Sequence, residues 1–176
     1  MPQTLFALLA VMILGIFSLQ MNRTIFAGEQ KMILNEVATL ATGVGTELLE
    51  EIGSKNYSFG IANQVFHEGQ RDSLYAKGNF CNGPCLCDPD VNFAGCDFIT
   101  SFDGKKATRE RGGILFEVDF EVNYVQENDP SVISGTPTFV ARVDLRITSP
   151  LLYVGSPDNP LEYKMSRVFT HPRVTG

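Results

Sequence analysis

The chain has 176 residues, with 14 Lys and Arg against 20 Asp and Glu, for a formal charge of −6. That balance argues against nucleic acid as a partner, because neutralising phosphate needs clustered cations. Trp is absent, Phe occurs 13 times, and the four cysteines crowd into one short stretch.

Residues 5–21 read LFALLAVMILGIFSLQM, with no charge and only Ser18 and Gln20 polar. A helix of that length can be buried in a bilayer or in surroundings equally apolar. A cleaved secretory signal fits badly, since no Lys or Arg precedes the run and no small-x-small site follows Leu19. A signal anchor fits the length but not the charge bias, because the first cation, Arg23, lies beyond the run. The third reading is a mature chain whose basic leader has been removed before Met1. Its apolar helix waits in the membrane until it packs into an assembly.

The helical pattern continues without Pro to about Ile52. Ile33, Val37, Leu40, Val44 and Leu48 recur at steps of four, three, four and four, one helical stripe. Gly53 is placed to end the helix. About 48 residues at about 1.5 Å each give a rod of about 70 Å, longer than a bilayer needs. Gly15, Gly43 and Gly45 are its expected weak points.

About 120 residues remain beyond the helix, enough for one ordinary domain. Cys81, Cys85, Cys87 and Cys96 suggest a stapled loop and an oxidising compartment. Of three possible pairings, Cys85 with Cys87 closes a very small ring, so Cys81 is expected to bond one of these and Cys96 the other. Which goes with which stays open. The rival, a four-thiolate zinc site, normally uses two C-x₂-C pairs, and the spacing here is x₃, x₁, x₈. Asp88, Asp90 and Asn92 begin like a calcium loop, but Phe93 and Ile99 stand where Gly and Glu belong; an Asp-Pro-Asp turn is expected instead.

From Gly113 the pattern alternates. Ile114, Phe116, Val118, Phe120, Val122 and Tyr124 form one face of a strand, with Glu117, Asp119, Glu121 and Asn123 on the other. Phe139, Ala141, Val143, Leu145 and Ile147 face inward on a second strand. Leu161, Tyr163, Met165 and Phe169 suggest a third, its apolar face broken by Arg167. An antiparallel meander is expected, in a register that sets Glu117 and Glu121 against Arg146 and Arg142. Its apolar face needs a cover, and the helical stripe is the available one.

The expected fold is therefore α+β. A long N-terminal α-helix, apolar in its first half and amphipathic in its second, packs on a C-terminal antiparallel β-sheet with a Cys-rich loop. The helix occupies 1–53, with 1–22 as the membrane or core segment. The head occupies 54–176, with the Cys loop at 81–96 and the sheet at 113–172. Helix–sheet packing is assigned to Ile33, Val37, Leu40, Val44 and Leu48 against Phe116, Val118, Phe120, Val143 and Leu145.

This layout resembles the type IV pilin superfamily of pilus subunits and secretion pseudopilins. The resemblance implies a leader cut by a prepilin peptidase, a methylated N-terminus and a disulfide-closed surface loop. The chain departs from the family in having Met1 where Phe is usual and Leu5 where Glu is usual. What the likeness implies is a structural filament subunit, moving through the cytoplasmic (inner) membrane to an extracellular fibre at the cell surface. Its partners are copies of itself, and its filament core comprises Leu5, Phe6, Leu8, Leu9, Val11, Met12, Ile13, Ile16 and Phe17. Ala7, Ala10 and Gly15 permit close helix approach. The alternative is a membrane-anchored pseudopilin or binding module of a secretion system. An enzyme is not expected: His67 and His171 stand far from any Ser or Cys motif, and the carboxylates alternate outward. No catalytic residue, metal or cofactor is assigned. His171, before Pro172, reads as a surface residue.

Overall fold

A computed structural model describes residues 2–55, 87–153 and 160–171. Cys81, Cys85 and His67 lie outside these, as do the side chains of Leu5 and Leu8. One helix, α1 (Pro2–Gly53), is followed by four strands: β1 (Lys106–Arg111), β2 (Ile114–Tyr124), β3 (Val140–Tyr153) and β4 (Pro160–Thr170). The expected α+β class is the one observed. Two compact units divide the chain, Met1–Thr39 and Leu40–Gly176, so the division falls inside α1.

The first unit is unbroken helix, continuous through Gly15 and Gly28. The second contains the last turns of α1 and the sheet, with strand order β1-β2-β3-β4 and every neighbouring pair antiparallel. Val44, Leu48, Leu49 and Ile52 on α1 are buried. So are Phe116, Val118, Phe120 and Val122 on β2, and Val143, Leu145 and Ile147 on β3. This is the predicted pairing of helical stripe and apolar sheet face. Gly45 is not a weak point but a place of close approach. A methyl there would overlap Met165 Sδ and lie 2.8 Å from Ile147 Cδ1. The absent side chain lets the helix sit down on β3 and β4. α1 stops at Gly53, where Ser54 N donates to the carbonyls of Glu50 and Glu51 at 3.2 and 3.1 Å.

Three expectations need correction. The sheet has a strand, β1, that the alternation does not reveal, because Ala107 is the only apolar residue in KATRER. The Gly112-Gly113 turn that joins it to β2 has φ of 62° and 77°, the geometry that hairpins take from glycine pairs. The β2–β3 register is also shifted by two. Asp119 opposes Arg146, Glu121 opposes Asp144, and Asn123 opposes Arg142. The connection sets this: Val125 bridges Ile133, and Val125 N donates to Val140 O at 3.0 Å, which extends the ladder past Tyr124. Arg142 then turns to the carbonyls of Pro130 and Ser131, at 3.1 and 3.2 Å, and to Asp144 at 2.9 Å. Finally, Asn123 and His171 are buried rather than outward. Asn123 Nδ2 donates to Glu121 Oε1 at 3.0 Å, and His171 N donates to Phe139 O at 2.9 Å, tying the end of β4 to the start of β3.

Candidate self-assembly segment

Among its described residues the first unit has an exposed apolar surface. Phe6 is 74% exposed, Met12 72% and Phe17 64%, and Leu9, Val11, Ile13 and Ile16 are likewise exposed. Seven of the nine residues assigned to a filament core are therefore on the helix surface; the other two are Leu5 and Leu8. The apolar exposure does not stop there. Leu14, Leu19, Met21, Ile25, Phe26, Met32, Ile33 and Leu34 are exposed too. An 18-residue stretch of the helix has a mean hydropathy of 1.5 and none of its residues buried, so by length and composition the helix is apolar enough to cross a membrane.

Ile33 corrects the helix–sheet assignment. It is 55% exposed, whereas Val37 is buried and Leu40 half-buried. The burial of the stripe begins one turn later than its spacing suggests. Periodicity reports which residues share a face, not where along the rod that face becomes covered.

In the second unit the cysteine segment is a small built loop. Cys87 and Cys96 are joined, one of the two pairings left open for Cys96. Inside the ring Asp88 Oδ1 accepts from Asp90 N at 3.1 Å, and Asn92 Oδ1 accepts from Gly95 N at 3.0 Å. These are the turn bonds expected of short polar side chains. Among the described residues no group of three or more His, Cys, Asp or Glu could hold a metal ion. Phe93 emerges from the loop into an aromatic cluster, 4.8 Å from Phe102 and 6.3 Å from Phe120 between ring centroids.

The outer sheet face is charged but internally compensated. Lys106 lies 2.8 Å from Asp119; Arg146 and Lys164 lie 2.8 and 3.2 Å from Glu162. The hydrogen bond and charge of Asp119 hold the Lys106 ammonium above its usual pKa. A depression of about 640 Å³ on this face is lined by Asp119, Glu121, Asp144, Arg146, Glu162 and Lys164, so both charge signs already meet within it. Nearby, the hydroxyl and N–H of Ser131 hold Asp129 below the usual carboxylate range, and burial raises Tyr163. The sheet thus supplies a solvated surface with several ion pairs, while most of the exposed large apolar side chains among the described residues lie on the helix.

No protein-family model, curated protein or solved structure matches the chain.

Proposed function

We propose that the chain is the structural subunit of an extracellular, type IV pilus-like filament. The apolar helix resides in the cytoplasmic membrane and then bundles with copies of itself, while the acidic sheet heads coat the outside. One observation carries the reading: a run of seventeen residues without charge (5–21) stands on a helix whose apolar window is wholly unburied. Such a surface needs an apolar environment, and the head has used its own apolar face on the end of the same helix.

Assembly exchanges lipid neighbours for helix neighbours. Removing one segment from water would be worth on the order of 25 kcal/mol for about 1,000 Å² of apolar surface. Because the transfer starts from lipid, the net gain comes from packing between helices, where Ala7, Ala10 and Gly15 allow close contact. No chemistry is required of the head, and the subunit is not an enzyme in this reading.

The test is negative-stain imaging of material sheared from the cells that make the protein, with mass spectrometry of its constituents. Uniform fibres built from this chain are expected. Recovery only as a detergent-extracted monomer would overturn the filament reading in favour of a membrane-anchored pseudopilin or binding module.

A further inference from the structure

The disulfide loop is fastened across the outer edge of β1. Lys105 O accepts from Phe120 N at 2.9 Å. Odd-numbered residues therefore bond to β2 in the β1–β2 ladder, and Lys106, Thr108 and Glu110 turn N–H and C=O away from the sheet. On an open edge such groups are a template for another strand. Here the central pair is capped. Thr108 N donates to Asp90 Oδ1 at 2.6 Å, and Thr108 O accepts from Arg109 Nη1 at 2.9 Å. The same guanidinium donates to Pro89 O at 3.4 Å and lies 5.2 Å from the centroid of the Phe93 ring. Pro89, Asp90 and Phe93 all belong to the ring closed by Cys87 and Cys96.

We propose that this loop guards a latent self-pairing edge: with the Asp90 cap removed, β1 pairs antiparallel with β1 of a second copy, centred on Thr108. The second copy is indicated by charge complementarity. Pairing KATRER with itself about Thr108 sets Lys106 opposite Glu110 of the other copy, twice by symmetry, and Ala107 opposite Arg109. Lys106, Thr108 and Glu110 share one face of the strand, because side chains alternate. At the end of the strand Arg111 would meet the other copy's Lys105, a like-charge pair that Glu47, 3.2 Å from Arg111, offsets. The inference does not depend on filament formation, since it concerns only the head.

The test uses the full-length chain in detergent micelles, mixing ¹⁵N-labelled with unlabelled copies. A carbodiimide joins amines to adjacent carboxylates, and mass spectrometry reads a Lys106–Glu110 link between differently labelled copies. Within one strand these residues are about 13 Å apart, too far for that link. The parent is expected to show a protected Thr108 amide and no such link. Asp90→Ala is expected to give the link, and in dilute solution about ten-fold faster exchange at Thr108. Asp90 is exposed, so the fold should survive; Asp90→Lys, which also cannot accept the bond, is a second variant with the same expected result. Adding Lys106→Glu to Asp90→Ala should abolish the link by sequence and by repulsion, and Lys106→Glu with Glu110→Lys should restore it. Absence of the link in both Asp90 variants, or equal linking in the parent, would overturn the proposal.

Discussion

Replacing Ile13 by Asp puts one carboxylate in the middle of the uncharged run, at a side chain that is 56% exposed on the helix. In the filament reading that side chain is surrounded by other helices. A charged group at the centre of such an apolar environment costs about 3 kcal/mol on insertion-derived scales. At about 1.4 kcal/mol per factor of ten, each subunit adds to the fibre about 150-fold more weakly. Every copy carries the defect, so the concentration needed for polymerisation rises by at least that factor. The assay is the yield of sheared fibres, by immunoblot and negative stain, normalised to the amount in the membrane fraction. That normalisation separates failed assembly from failed insertion, which the carboxylate also disfavours. Ile13→Leu, which conserves volume, should assemble nearly as the parent does. Fibres from Ile13→Asp at parental yield, with the head folded, would mean that Ile13 is not enclosed by other helices.

Three further outcomes follow from the head. Gly45→Val should destabilise it by about 2 kcal/mol, because Met165 and Ile147 occupy the space the side chain needs; urea unfolding measures this. Phe102 is fully buried and lies 5.6 Å from Phe120 between centroids, so Phe102→Ala should cost about 3–5 kcal/mol in the same assay. The carboxyl of Asp129 should titrate below the ordinary carboxylate range in an NMR pH series, and Ser131→Ala should raise its midpoint. Its folded pKa is depressed, so its contribution to the 126–132 turn is present above the unfolded value and disappears as pH falls through the folded one.

The alternation in β2 and β3 is legible because one face of each strand is buried, and the four-residue steps of the helix are legible because Val37, Val44 and Leu48 share a buried face. The burial of Val44 and Leu48 on the helix and of Phe116 and Val118 on β2 follows from those two periods. Elements that depend on a neighbour were not legible. β1 is an edge strand held by backbone bonds, by Asp90 and by Arg109, so its sequence carries charge rather than alternating hydrophobicity. The Gly112-Gly113 dipeptide was the available signal for it. The register differs by two from the expected one because both keep the apolar sets opposed; the observed one carries the Val125 bridge and the Arg142 contacts. Gly45 counts as a weak point on a propensity scale because such a scale has no knowledge of Met165. His171 read as surface because its burial comes from chain pairing at Phe139, far away in sequence. In the apolar segment, composition located the exposed helix, but the exposure reaches Leu34, well past Phe17.

In the filament reading, copies of the same helix surround the front of α1 outside the membrane. A photoreactive phenylalanine at Phe17, activated in fibres sheared from cells and mapped by mass spectrometry, answers it directly. The expected adducts join Phe17 to residues of the 5–21 run in another copy. Adducts confined to lipid, or to a different protein, would mean that the helix does not bundle with copies of itself.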